Sequence, residues 1–427
     1  MVSIAVSHIM EIISNFRVMN GRRTSNSIAL AGFFLVALIG AASSQDTVPS
    51  GLASPPAPPS TNAPPPPPPR TLSPVIWAEN PEVVNRFNVN GPMIREMVNN
   101  ALLKLTSAND LGTAWTRLGI TPQDVVGIKI TTMGGPLLST HRAIVQAICD
   151  GLQDAGVPPS QIIIWDKNAS DMRSAGYMPT PATDSHVGIS SIFPGTGYDP
   201  DAVYKNGIVG TLIWGDSEFI RHGNQDLSDA ASSAVKNKAF GGPIGGVSSS
   251  DADDTLANSS KPQTSDKSYY ARLVSSTCTK IINVPVLTDN SYIGINGCLG
   301  SLALGSIDNN RRFQGDPIFG DPAICEILSK SYLRRKVVLN ILDALIAEYA
   351  GGPAFDPQFT KQIGAIYVSR DPVAIDALVL KRLEEWRAAD HEGKIDPIGK
   401  AASHVHSATS FNLGTDDPSR IQLVRLP

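Results

Sequence analysis

The sequence predicts a three-layer α/β protein, a mostly parallel sheet with helices on both faces and a Gly/Ser-rich insertion. Three observations carry that prediction. An apolar run at 125–130 (VVGIKI), a helical pattern at 139–155 and a second apolar run at 162–165 form a strand–helix–strand unit, which requires a parallel pair and a right-handed crossover. Further buried-strand runs follow at 211–214, 280–287 (KIINVPVL), 336–342 (KVVLNIL) and 363–369 (IGAIYVS), each ending in polar or acidic residues. With 427 residues and 42% hydrophobic content, the chain can bury the core of one large α/β body.

Taken in order, the first element is a leader. Residues 27–42 (SIALAGFFLVALIGAA) are uncharged and mostly apolar, preceded by Arg22 and Arg23 and followed by small residues, which is the layout of a signal peptide over 1–44. The run is shorter than the roughly 20 residues that span a bilayer, so a cleaved signal is expected in preference to an anchor. Translation from Met19 would give it a short basic start, whereas Met1 prepends a second apolar patch. The Arg22–Arg23 pair hints at twin-arginine export, although Thr24, Ser25 and Asn26 follow where a hydrophobic pair is usual. Residues 45–74 are rich in proline and include the run 64–69. Such a segment lacks helix and sheet donors and favours extended polyproline II, about 3.1 Å per residue. The expectation is export to the periplasm, cell surface or medium, with this linker as a spacer that tethers the body to the envelope.

The body, 75–427, opens with a helix at 92–105, where Met93, Met97, Ala101 and Leu105 recur at helical spacing. After the strand at 125–130 comes a loop, 131–138 (TTMGGPLL), and then a helix starting at Ser139 or Thr140. Its apolar face is Ile144, Ala147, Ile148, Gly151 and Leu152, and Gly156, Pro158 and Pro159 stop it. Asp166 ends the next strand. Residues 179–267, rich in Gly, Ser, Asn and Asp, read as a largely irregular insertion around one or two strands. The glycine-rich stretch 294–305 is too poor in large side chains for an ordinary helix and suggests close backbone approach. A last helix over 372–387 begins with Asp371 as N-cap and Pro372 as its first residue.

Four segments resemble a known family. They are VGIKI with STHRAIVQAICDGLQDAGV and IIIWD; TKIINVPVLTDNSYIGINGCLGSLALGSIDNNRRF; LNILDALIAEYAGGP; and SRDPVAIDALVLKRLEEWR. From about residue 125 to its end the chain is similar to the domain of unknown function family 362. Members often carry a histidine after the INVPVL-type strand, where this chain has Thr288, Asp289 and Asn290. Some members carry ferredoxin-like cysteine clusters, which this chain lacks. The resemblance implies an α/β fold and no established chemistry.

Composition narrows the function. A net charge of −4, from 35 basic and 39 acidic residues, provides no field for nucleic acid. The four cysteines contain no Cys-x-x-Cys pair, so a zinc or iron–sulfur site built from them is not expected, and burial as small apolar residues is. Neither G-x-S-x-G nor H-E-x-x-H occurs, and the loop at 131–138 lacks the G-x-G-x-x-G spacing of a dinucleotide site. No motif names a cofactor. The spacing of His404 and His406 on a helix turns them apart, which argues against a metal pair.

Ligands of open parallel sheets bind beyond the carboxyl ends of the strands. Lys129, Asp166 and Asp289 are the catalytic candidates there. Thr131, Thr140, Asn168, Asn290, Asn309 and Arg311 are ligand-binding candidates, and Asp166 and Asp343 are the candidates for a metal. Lys129 is the sharpest, because a charged residue inside an apolar strand needs a partner or a ligand. Backbone N–H groups of the loop at 131–138 could present themselves to an anion. Lys129, Asp166 and the 289–290 turn are expected to face one crevice. Such a site would take a small anionic ligand or a divalent metal, in an enzyme of unnamed reaction or in a non-catalytic solute- or surface-binding protein.

Overall fold

The computed structural model describes residues 72–211, 264–390 and 394–426; the apolar run at 27–42, most of the proline-rich stretch and the centre of 179–267 lie outside them. The body begins with β1 (Ser73–Glu79), so Ser73 and Pro74, expected in the linker, belong to the sheet. A short hairpin, β2 (Val84–Asn85) and β3 (Asn88–Val89), leads to α1 (Gly91–Thr106), where the Asn90 side chain accepts from Met93 N at 3.3 Å. Asp110 caps α2 (Leu111–Arg117) through Thr113 N at 2.8 Å. Then come β4 (Val126–Ile130), α3 (Arg142–Asp154), β5 (Ile162–Asn168) and α4 (Ala169–Ser174). The described parts of 179–267 carry more strand than the one or two expected there. They form β6 (Gly188–Phe193), then β7 (Tyr198–Thr211) paired antiparallel with β8 (Thr264–Ala271); of the strand expected at 211–214 only Thr211 is described.

The run KIINVPVL makes two strands, β9 (Lys280–Val284) and β10 (Val286–Asn290), because Pro285 has no N–H to continue the ladder. After β11 (Gly294–Ile295), the glycine-rich stretch is a helix after all, α5 (Gly297–Gly305), with all but its last residue buried. Next are α6 (Ala323–Ser329), α7 (Ser331–Arg334) and β12 (Val337–Glu348), which runs six residues past the expected end at 342. The chain ends with β13 (Thr360–Ser369), α8 (Pro372–Ala389), α9 (Ser403–Ser410) and β14 (Ile421–Leu426). Asp371 does cap α8, accepting from Ala374 N at 2.9 Å.

One large sheet has the order β14-β1-β13-β12-β9-β4-β5-β6, with β10 and β11 attached beside β12. Neighbours are parallel except β13, which is antiparallel to both β12 and β1, and the β10–β11 pair. The carboxyl end of β13, with Asp371 beyond it, therefore lies at the opposite end of the sheet from those of β4 and β5. The sheet separates two cores. Val126, Ile128 and Ile130 of β4 pack with α1, α2 and α3 on one face, while α5, α6, α8 and α9 pack on the other. Full burial of an Ile or Leu contributes about 1.5–3 kcal/mol, so the stripe Ile144, Ile148 and Leu152 is enough to seat α3 firmly. No helix among the described residues is long and apolar enough to cross a membrane. All four cysteines are free and buried, and burial pushes Cys149 and Cys278 up to about 12.

Candidate functional site

Strand alternation sets the floor of the site. Because Val126, Ile128 and Ile130 point into the α1–α3 core, Lys129 is turned to the opposite face, toward α5. Gly305 of α5 makes room for it, since a Cβ there would lie 2.7 Å from Lys129 Cε. The ammonium is 2% exposed and fully engaged: Asp166 Oδ1 lies at 3.0 Å, and Nζ donates to the Ile130 carbonyl at 2.6 Å and to Ser301 Oγ at 3.4 Å. It also lies 5.8 Å from the Trp165 ring centroid. Asp166 Oδ2 accepts from Thr132 N at 2.9 Å and from its hydroxyl at 2.6 Å. Thr131 Oγ1 and Ser301 Oγ are 2.7 Å apart. A buried ion pair is tolerable when its remaining hydrogen bonds are satisfied, and here they are.

These groups floor a cleft of about 540 Å³ at the carboxyl ends of β4 and β5. Asn168 stands at the end of β5 and donates to Asp171 Oδ2 at 3.0 Å. Across from it, Asn290 at the end of β10 donates to Asn296 Oδ1 at 2.9 Å, and Asn296 donates to Thr288 Oγ1 at 2.7 Å. Asn310 and Arg311 complete the wall. Lys167, also at the cleft, donates to the Ile307 carbonyl at 3.0 Å. The Arg311 guanidinium is exposed and makes no hydrogen bond or ion pair among the described residues.

The structure thus brings together Lys129, Thr131, Asp166, Asn168, Asn290 and Arg311, and excludes four other candidates. Asp289 alternates away from Asn290 and pairs with Arg387 of α8 at 2.7 Å, also accepting from Gly352 N at 2.9 Å. Burial pushes its carboxyl up, against the pull of Gly352 N–H and Arg387. Thr140 does not cap α3. Its hydroxyl donates to the Val284 carbonyl at 2.7 Å and accepts from Thr131 N at 2.9 Å, while Ser139 turns back to Gly135 O at 2.5 Å. Asn309, in a left-handed conformation, donates to the Ser265 and Lys267 carbonyls and fastens β8. Asp343 is not at a strand end but mid-way along β12, 0% exposed. It accepts from His141 N at 2.7 Å and lies 2.8 Å from His141 Nδ1, on the α3 face of the sheet. Burial alone would lower His141; the Asp343 charge and hydrogen bond outweigh it and hold the imidazole above 6.5.

Asp166 and Asp343 therefore share no metal site, and no group of three or more His, Cys, Asp or Glu among the described residues is placed to hold one. The loop at 131–138 spends N–H groups on the protein itself, Thr132 N on Asp166 and Gly135 N on the Thr132 carbonyl at 3.3 Å. His404 is buried inside α9, whereas His406 is exposed and lies 2.6 Å from Asp416. Sequence reasoning missed Ser301, Asn296, Asn310 and His141. A signal existed for Ser301, the only hydroxyl in the otherwise apolar and glycine-rich GCLGSLALG helix. Asp376 was also missed as a helix cap: it lies in α8 yet accepts from Cys298 N at 2.6 Å and Leu299 N at 2.9 Å, capping α5.

A comparison with curated proteins found no match. Among solved structures, the crystal structure of a protein from Thermotoga maritima, a structural-genomics target, is similar at 9% identity and a TM-score of 0.30, over 71% of this chain and 59% of that one. The chain thus matches less than two thirds of that protein's length. Residues 201–381, from within β7 to within α8, match the model of the domain of unknown function family (DUF362).

Proposed function

We propose that the protein binds a small, acceptor-rich anion in the cleft beyond β4 and β5. The observation that carries this reading is Arg311, an exposed guanidinium without a protein partner among the described residues, opening onto a cleft whose other cations, Lys129 and Lys167, are already engaged. A guanidinium presents a planar fork that matches a carboxylate or phosphate. Lys129, with all three donors committed, sets the shape and charge of the floor. This favours binding over acid–base work by Lys129, and an anion over a divalent metal, since both oxygens of Asp166 are taken. The test is calorimetric titration of the full chain with acetate and with inorganic phosphate. Arg311→Ala is expected to weaken whichever binds by at least about ten-fold, and Arg311→Lys by less. Equal binding by wild type and Arg311→Ala rules the reading out.

We also place the protein outside the cytoplasm, on the basic, apolar, small-residue order of residues 22–44. N-terminal sequencing of exported material should begin near residues 42–46. A retained 27–42 segment in membranes would favour an anchor instead.

A further inference from the structure

We propose that the ligand of this cleft is an acidic sugar or open-chain polyhydroxy acid, one anionic group on a body of several hydroxyls; this rests on the anion-binding reading above. The cleft is rich in amides. Asn168, Asn290, Asn296 and Asn310 line it, and each gives one of its two amide N–H donors to the protein, to Asp171, Asn296, Thr288 and Leu304 respectively. That leaves one donor on each. Gln314, a fifth amide at the cleft, makes no side-chain hydrogen bond among the described residues.

A ligand with one charge and no other polar atoms would strand these donors, and a donor cut off from water without a partner opposes binding. A ligand of many charges would not fit either. Among the described residues Arg311 is the cleft's one cation without a protein partner, and Asp171 in the wall disfavours further negative charge. Neutral hydroxyls, which both accept and donate, satisfy amide groups without adding charge. The rim supplies the remaining feature. Tyr292 is 50% exposed at the cleft, and a flat ring there offers the apolar face of a sugar ring a surface to cover while its phenol reaches water or a hydroxyl.

The test is calorimetric titration of the full chain with glucuronate, gluconate, glucose, acetate and inorganic phosphate. Glucuronate or gluconate is expected to bind at least about ten-fold more tightly than acetate, phosphate or glucose. Gln314→Leu and Tyr292→Ala, checked for an unchanged melting transition, are expected to erase that preference, bringing glucuronate or gluconate down to the affinity of acetate. If acetate or phosphate binds as tightly as glucuronate, and Arg311→Ala abolishes both, the sugar-acid proposal fails and the anion site survives. If none of the five binds, both readings fall.

Discussion

Lys129 poses the question on which the site depends, and the geometry sharpens it. A lysine whose three donors are all met inside the protein is half of an ion pair, so Lys129→Met is expected to destabilise the fold by about 3–5 kcal/mol, read as a shift of the urea midpoint, because Asp166 is left buried and unpaired. Replacing both, Lys129→Met with Asp166→Leu, should recover much of that loss. A single-variant cost below about 1 kcal/mol would mean the pair carries no structural weight. His404 makes a second residue-scale prediction. Burial lowers its imidazole to about 4, with Asp321 pulling the other way. The unfolded chain takes up a proton near 6.5 that the folded one refuses, so this contribution is fully present above pH 6.5 and is lost as the pH falls toward 4. Between pH 7 and pH 5 wild type should lose about 2 kcal/mol more than His404→Leu in urea unfolding. Equal losses would refute it.

Among the elements, α5 joins the cleft to the core beneath it. Its Ser301 and Gly305 shape the floor, and its first turn is held by Asp376 from α8. Burial raises the Asp376 carboxyl to about 7 from 3.8, against the lowering pull of the Cys298 and Leu299 N–H groups. The folded state therefore holds a proton that the unfolded state gives up, and stability from this residue declines as the pH climbs from 3.8 through 7. Asp376→Asn keeps an acceptor for α5 and removes the titration, so its stability relative to wild type should improve from pH 4 to pH 7; no change in that difference would show that Asp376 does not titrate there. The sequence hid this element for a physical reason. A helix buried all round shows no amphipathic period, and glycine in its register signals close approach without naming the shape that permits it. The strand–helix–strand unit was legible because α3 has a clean apolar stripe and β4 is buried on both faces. Asp343 misled because an acidic residue after KVVLNIL reads as the end of a strand, whereas His141 from another element meets its charge and lets β12 continue.

For the whole molecule, the parallel frame of the sheet could be read from the sequence, while the reversal at β13 could not, since an apolar run looks the same in either direction. The same limit kept Asn296 and Asn310 out of the candidate list, because their place at the cleft depends on where distant strands end. β14 completes the far edge of the sheet beside β1, and Arg425 lies 4.6 Å from the Trp77 ring centroid, so removing residues 421–427 should lower the melting temperature by several degrees. An unchanged transition would mean this edge is decorative. The pairing has one more consequence, for rejoining the chain in a new order. Because β1 and β14 run side by side in the same direction, with Ser73 opposite Ile421 and Ala78 opposite Leu426, the last strand finishes a full strand length from where the first one starts. At about 3.3 Å per residue that gap is on the order of 17 Å. A circular permutant of residues 73–426 closed by a two-residue turn cannot span it, whereas one closed by a flexible loop of about ten residues can, and only the second should give a cooperative melt.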